Sequence, residues 1–298
     1  MALSVVEVQR AVSIKAKEYL ILCKYKVVML LALTAAVGQG LAPESERSLA
    51  LKILTLIGIA MLAASAAVVN HIVDSDIDKK MKRTDSRPVA TGSISNQHAL
   101  VFSLILLVVG FSILVSSANW LTAWLTLIAL VGYAFVYTLL LKRRTPQNIV
   151  IGGFAGAMPP LLGWVSETGS MSAEPWLLVM IVFTWTPPHF WALAIDRKTD
   201  YENAKVPMLP VTHGIEFSKT MVLLYSLLLT LVCVFPYLIG MSGSFYLIAS
   251  LILNCIFLYR AWELKFSTKK DSAIKLFVYS IWQLMLLFIA LFIDKWLM

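Results

Sequence analysis

The stretch ILTLIGIAMLAASAAVVNHIVDSDIDKKMKRTDSRP, Ile53 to Pro88, decides the fold. Its first part, Ile53 to Val73, holds no Asp, Glu, Lys or Arg and is long enough to cross the hydrocarbon core of a bilayer as a helix. Its second part, Asn70 to Pro88, then sets four acids and five bases against the end of that apolar run. If the helix continues, Asn70, Asp74 and Asp78 fall at i, i+4 and i+8 and share one face, whereas Asp76 points elsewhere. Carboxylates at that spacing repel each other, so something must neutralise them, and carboxylate and amide oxygens suit a hard cation such as Mg²⁺. Taken alone, the stretch also reads as a solvated helix end at a membrane surface.

The rest of the chain settles the class. Of its 298 residues, 59% are hydrophobic and only 14% charged, and the apolar content runs from end to end without a water-soluble block, so the fold class is an all-α, polytopic membrane protein. Apolar runs fall at roughly Val27 to Ala42, Ile53 to Val73, Ala99 to Ser116, Leu121 to Leu141, Ile149 to Val165, Trp176 to Ile195, Met221 to Ile239, Phe245 to Tyr259 and Leu276 to Ile293. They are continuous and lack barrel-type alternation, which predicts nine transmembrane helices in one membrane-embedded domain, 27–298, preceded by an N-terminal arm, 1–26.

The net charge of +8 fits topology better than nucleic acid, because the bases occupy short linkers. If the linkers alternate between two sides, every lysine and arginine except Arg47, Lys52 and Lys295 falls on one of them. That bias places the N-terminus in the cytoplasm and the C-terminus outside. The N-terminus shows no signal peptide and only a poor transit peptide, so a bacterial inner membrane is expected, with the mitochondrial inner membrane as the alternative. Cys23, Cys233 and Cys255 have no metal-type spacing and read as buried thiols.

The outer linkers are short, so function must lie within the bundle or on its cytoplasmic face. There a second long linker, Asp196 to Gly214, again begins with acids at i and i+4, Asp196 and Asp200. Spans two and six run in the same direction, so both acid clusters reach the same membrane face. A solvated loop is the plain reading of the second pair by itself. Together, facing carboxylates can hold divalent ions, and Mg²⁺ binds substrate phosphates through one or two carboxylates per ion. Arg83, Arg87, Lys198 and Lys205 lie close by in sequence and suit the remaining phosphate oxygens. The pattern points to a lipid diphosphate in a cytoplasm-facing cavity, with loss of diphosphate as the reaction. A secondary transporter would set its key acids nearer the membrane midplane, and a non-catalytic haem or lipid carrier has no use for two acid clusters.

On these residues the chain resembles the UbiA superfamily of intramembrane prenyltransferases, whose signatures are an Asn-xxx-Asp-xxx-Asp motif and a second Asp-rich motif. Three further runs, DSDIDKKMKRTDSRPVATG, RTPQNIVIGGFAGAMPPLLGW and TPPHFWALAIDRKTDYENAKVPMLP, resemble the branch that farnesylates protohaem IX to haem O. The resemblance implies a UbiA-type helical ring open to lipid, Mg²⁺-dependent ionisation of farnesyl diphosphate, attack by a vinyl group of haem b, and water addition. It implies Asn70, Asp74 and Asp78 on one Mg²⁺-diphosphate face, Asp200 and Asp196 on the other, and Arg83 and Arg87 on phosphate; Asp200 and Tyr201 match more securely than Asp196. A downstream haem-modifying enzyme or an oxidase assembly factor is the implied partner. The acid clusters alone leave open a quinone precursor or a chlorin as acceptor.

Haem also needs an apolar slot. His98 and His213 lie in linkers and read as surface residues, and His71 sits about 100° round the helix from Asn70. His189 follows Pro187 and Pro188, where a double proline should interrupt helical hydrogen bonding and open room for a ligand, so it is the preferred haem contact; a histidine satisfied at a proline kink is the alternative. Gly152, Gly153, Gly156, Pro159 and Pro160 predict an irregular fifth span with close helix approach. Trp164, Trp176, Trp185, Phe190 and Trp191 read as packing, interface anchors or tunnel wall.

Overall fold

The computed structural model describes residues 5–298, with side chains from residue 14 onward. Its helices are α1 (Val5–Leu22), α2 (Tyr25–Leu41), α3 (Leu49–Val73), α4 (Asn96–Ser117), α5 (Trp120–Val131), a π-helix that continues α5 (Gly132–Leu141), α6 (Asn148–Ala157), α7 (Pro159–Thr168), α8 (Glu174–Asp196), α9 (Ile215–Val232), α10 (Ser244–Phe266) and α11 (Ser272–Lys295). No strand occurs among the described residues. Helices prevail because a bilayer cannot hydrogen-bond free backbone groups, and a helix satisfies them within one segment. Among the described residues, eight segments have the length and hydropathy of membrane spans, and α1 with α2, bent by 54° at their junction, makes a ninth when the bent pair is taken as one span.

The helices form a closed arrangement. α3 packs on α2 and α4, α2 on α7, α8 on α6, α9 and α11, α10 on α9 and α11, and α11 returns to α2. α8 is the most buried span and α4 and α5 are among the least, so α8 lies inside while the others present Leu104, Ile105, Val108, Trp124 and Ile128 to lipid. Lipid gives apolar side chains no reason to leave it, so small residues and buried polar groups hold the helices together. Gly58 and Gly110 face each other across α3 and α4, and Ser65 and Ser103 exchange hydrogen bonds about two turns along the same seam.

The irregular fifth span is found as the prolines predict, and two departures from the sequence reading stand beside it. The fifth span divides at Met158, because Pro159 and Pro160 cannot donate to the preceding turn, and α6 and α7 result. Its close approaches are uneven: Gly152 lies against the Tyr137 ring and Gly153 against Thr186, but a Cβ on Gly156 would meet nothing. By contrast α8 runs as one helix through Pro187 and Pro188, so the two donors that the prolines lack do not break it. It packs on α6, α9 and α11 along its length.

The three bases outside the charge bias are all tied into the end opposite the acid motifs. Arg47 pairs with the buried Glu167 at 2.6 Å, donates to the carbonyl of Ser166 at 2.7 Å and also reaches that of Ser117, while Lys52 meets Glu167 at 3.5 Å. Lys295 donates to the carbonyls of Gly40 and Ala42 at the end of α2, and Asp294 accepts from the amides of Gly243 and Tyr246 at the start of α10. The last turn of α11 therefore clasps two other helix ends and satisfies their free backbone groups.

Candidate active site

The first motif lies where α3 ends. Asp74 caps α3, and a short helix, Ser75–Asp78, follows it, so the helix is not one regular cylinder as the spacing predicts. The four-residue register survives the break nonetheless: the amide of Asp74 donates to the carbonyl of Asn70 at 2.9 Å, and that of Asp78 to Asp74 at 2.8 Å. Asn70, Asp74 and Asp78 consequently form one buried column, all at most 3% exposed, and Asp76 is exposed.

Each member of the column has a base against it. Lys24 Nζ donates to Asn70 Oδ1 at 2.5 Å, Lys142 pairs with Asp74 Oδ2, and Arg87 pairs with both oxygens of Asp78 at 3.0 and 2.8 Å. Asn70 Nδ2 in turn donates to Asp74 Oδ2 at 2.7 Å and to Thr138 at 3.2 Å. Buried charge is tolerated only when paired and hydrogen-bonded, and the column meets that condition with four bonds from three different elements. The chain's own bases thus provide the neutralisation that the spacing requires.

Two of those bases depend on unusual backbone. Lys24 sits between α1 and α2 in the left-handed region, φ 49° and ψ 47°, which turns the chain and leaves its ammonium between Asn70 and the Tyr133 hydroxyl, 3.3 Å away. A non-glycine residue there costs about 1 kcal/mol or more and persists because its side chain is held. Lys142 ends the π-helix: its amide donates to the carbonyl of Tyr137, five residues back, at 2.9 Å. In an α-helix the nine positions from Tyr133 to Lys142 make about two and a half turns and set the two on opposite faces. Bonding from i to i+5 winds the segment more slowly, so Tyr133, Tyr137, Thr138 and Lys142 all face the column, with the two tyrosine rings stacked at 5.4 Å. Nothing in the sequence distinguishes this winding, and Lys24, Thr138 and Lys142 are functional candidates that the motif reading missed.

The second motif is placed less uniformly. Asp196 ends α8 and pairs with its neighbour Arg197 at 3.0 Å. Lys198 pairs with Glu202 at 3.0 Å on the short helix Lys198–Asn203, and that contact satisfies it locally. Asp200 is half-buried, and its Oδ2 is fully enclosed with no hydrogen-bond partner. Tyr201 is buried, and the Arg83 guanidinium of the first linker lies beside its phenol. Burial raises the Tyr201 phenol above the ordinary tyrosine range, outweighing the opposing pull of Arg83 and Arg87, so it stays a protonated donor at neutral pH. Tyr137 lies within electrostatic reach of Asp74 as well as of Tyr201 and Arg83, so the two linkers meet at one end of the bundle. Lys205 is exposed and joins no acid there.

The donor set fits a hard cation shared with a substrate. Asp74 Oδ1, like Asp200 Oδ2, is buried without a partner, and carboxylate oxygens so placed call for a cation or a donor. No three His, Cys, Asp or Glu side chains among the described residues converge closely enough to hold an ion unaided. A magnesium ion, which binds through one or two carboxylates and completes its shell with water and phosphate, needs no such cage.

The histidines divide clearly. His98 and His213 are exposed and bonded to Ser95 and Thr212. His189 is buried, with Nδ1 against the Ser280 hydroxyl at 2.6 Å and its ring between Trp185 and Phe277, at centroid distances of 4.2 and 4.5 Å. A hydroxyl on a neighbouring helix, not a freed carbonyl, satisfies it, and Trp185 donates to the Ser280 carbonyl alongside. His71 is buried with neither ring nitrogen bonded, next to the acid column. Trp164 and Trp191 are buried, Trp176 is half-buried, and Phe190 is 38% exposed.

Comparison with known proteins agrees with this architecture. The chain is 64% identical over 95% of its length to protoheme IX farnesyltransferase 2 of Pseudoalteromonas translucida (strain TAC 125), covering 91% of that protein. It is 63% identical over 94% to protoheme IX farnesyltransferase of Psychromonas ingrahamii, covering 90% of it. Among solved structures, a digeranylgeranylglyceryl phosphate synthase superposes with a TM-score of 0.77 over 95% of this chain and 99% of its own, at 21% identity. A UbiA homologue from Archaeoglobus fulgidus bound to GPP and Mg²⁺ superposes with a TM-score of 0.64 over 92% and 99%, at 16% identity; at those identities the likeness is one of fold. The profile of the UbiA prenyltransferase family matches residues 31–292. With its helical ring and its buried Asn-Asp-Asp column, the chain belongs to the UbiA prenyltransferase family.

Proposed function

We propose that this protein transfers the farnesyl group of farnesyl diphosphate to a vinyl group of haem b, with water adding to complete a hydroxyethylfarnesyl substituent, and so makes haem O and diphosphate. The observation that carries the reaction type is the buried column of Asn70, Asp74 and Asp78 with Lys24, Lys142 and Arg87 around it. High identity to two farnesyltransferases that act on protohaem supports the acceptor.

On this reading Asn70, Asp74 and Asp78 on one side, and Asp200 with Asp196 on the other, would hold Mg²⁺, whose charge would stabilise the leaving diphosphate; Asp196 would first have to give up its pair with Arg197. The chain's own groups do the rest. Arg83 and Arg87 would take phosphate oxygens, and the Lys142 and Lys24 ammonium groups make the potential of the same pocket more positive, which favours an anion there. The protonated Tyr201 phenol, beside Arg83, is available to donate a hydrogen bond to a phosphate oxygen. The stacked Tyr133 and Tyr137 present aromatic faces near the acids, which favours an allylic cation and keeps water from it. The vinyl group then forms the new carbon–carbon bond, water adds to the resulting cation, and its proton leaves. His189, and the unpartnered His71, are the buried histidines available to haem.

The same reading places the protein in a bacterial inner membrane with its N-terminus cytoplasmic and its C-terminus periplasmic, its product passing to a haem-modifying enzyme or an oxidase assembly factor. The test is to incubate purified protein with haem b, farnesyl diphosphate and Mg²⁺ and follow products by mass spectrometry. A farnesylated, hydrated haem that disappears with EDTA is expected. Prenylation of a quinone precursor in place of haem would refute the acceptor and keep the chemistry.

A further inference from the structure

Arg87 closes both oxygens of Asp78, at 2.8 and 3.0 Å, and Lys24 closes the amide oxygen of Asn70 at 2.5 Å. Those are the atoms that a metal ion needs from two of the three motif positions. Asp74 differs, because Lys142 and Asn70 both meet Oδ2 and leave Oδ1 buried without a partner. One position of the column is open to a cation, and two are covered by bases.

We propose that Arg87 is an exchangeable ligand, which competes with a divalent cation for Asp78 and transfers to the diphosphate when that arrives, so that metal and diphosphate bind cooperatively. The proposal rests on the diphosphate reading given above. A guanidinium and a dication cannot both take the two oxygens of one carboxylate. A cation arriving alone must therefore displace Arg87, whose side chain is only 18% exposed, and strand it without a partner. A diphosphate arriving alone meets Arg87 and Lys142 already paired with Asp78 and Asp74, and those two carboxylates repel it. Together each ligand releases the group that the other needs, which is reciprocal linkage in the strict sense.

The geometry favours this role for Arg87 over the other bases. One of its nitrogens, Nη1, holds both Asp78 oxygens, and a guanidinium has further donors that suit phosphate, whereas an ammonium binds either anion as a point charge. It lies on the linker in extended backbone, φ −66° and ψ 142°, immediately before Pro88 and the short helix Pro88–Thr91. The side chain can swing from acid to phosphate while the buried Pro88 keeps the backbone still.

The experiment measures ligand affinity, not turnover. Full-length protein in detergent is titrated with Mn²⁺ at buffered free concentrations, followed by electron paramagnetic resonance, with and without inorganic pyrophosphate. In the wild type, pyrophosphate should tighten Mn²⁺ by about tenfold or more, and Mn²⁺ should tighten pyrophosphate by the same factor. In Arg87→Gln, Mn²⁺ alone should bind about fivefold tighter than in the wild type, pyrophosphate should weaken, and the coupling factor should fall toward one. A residue that only contacts phosphate leaves the affinity for metal alone unchanged, and one that only supports the fold weakens both ligands; either result overturns the proposal. Arg87→Lys, which keeps the charge without the fork, should fall between, and serves if the glutamine variant does not fold. A wild-type coupling factor near one overturns the proposal whatever the variants do. Absence of Mn²⁺ binding with pyrophosphate, in wild type and Asp74→Asn alike, instead removes the diphosphate site itself and the proposal with it.

Discussion

Replacing Gly163 by alanine should force α2 and α7 apart. A Cβ at Gly163 would lie 1.9 Å from the carbonyl oxygen of Ala35, 2.8 Å from its carbon and 2.9 Å from the amide of Gln39. The arrangement is mutual, since a Cβ at Gly38 would lie 2.0 Å from the carbonyl oxygen of Pro160. Ordinary contact starts at 3.4 Å, so the shortfall is about 1.5 Å, and every clashing atom is backbone with no rotamer to yield. Separation strips contact from Ala35, Val37 and Leu41 on one side and Leu161, Leu162 and Val165 on the other, all buried. At an overpacking cost of about 3 kcal/mol, and with roughly 2 °C lost per kcal/mol in a chain of this size, the apparent melting temperature in detergent should fall by about 6 °C. Because α2 begins beside Lys24, the shift should also loosen the contact between Lys24 and Asn70 and lower turnover. The Gly38→Ala, Gly163→Ala double variant should lose little more than the worse single one, since one separation relieves both clashes. A Gly163→Ala protein that melts within about 1 °C of the wild type would refute the reasoning.

Other outcomes follow from individual contacts. Asp74→Asn keeps the shape of the column and removes its charge, so farnesyl transfer should drop by about 10³-fold, roughly 4 kcal/mol of barrier, measured at saturating Mg²⁺; a loss under tenfold would exclude Asp74 from the chemistry. Tyr201→Phe should slow turnover without altering the alkaline limb of the pH profile up to about pH 10, since burial holds the phenol protonated through that range. An ionisation near pH 8 that vanishes in the phenylalanine variant would contradict this. His189→Ala removes a ring held between Trp185 and Phe277, and haem titration by absorbance should show weaker binding; unchanged affinity and turnover would leave it a packing residue. Glu167→Gln should destabilise by about 2 kcal/mol, below the 3–5 kcal/mol of a fully buried broken pair, because Arg47 keeps its carbonyl and hydroxyl partners. Thermal unfolding should report that loss while turnover of the folded fraction is kept.

The sequence alone determined the helical class, the number of spans and the acid motifs, because each is a local or additive property. A bilayer permits few backbone solutions, so hydropathy is enough to find the spans. The four-residue spacing of Asn70, Asp74 and Asp78 survives a helix break because the backbone bonds that define it persist. Tertiary structure decided what surrounds those acids. Lys24 arrives through a left-handed turn and Lys142 through a π-helix, and neither conformation has a signature in residue order. It also decided that α8 continues through Pro187 and Pro188 and that His189 bonds to Ser280, ninety-one positions away in the chain. Partners so distant in sequence are set by how the ring closes, and that closure depends on glycine notches, helix-end clasps and buried ion pairs that only the assembled bundle brings together.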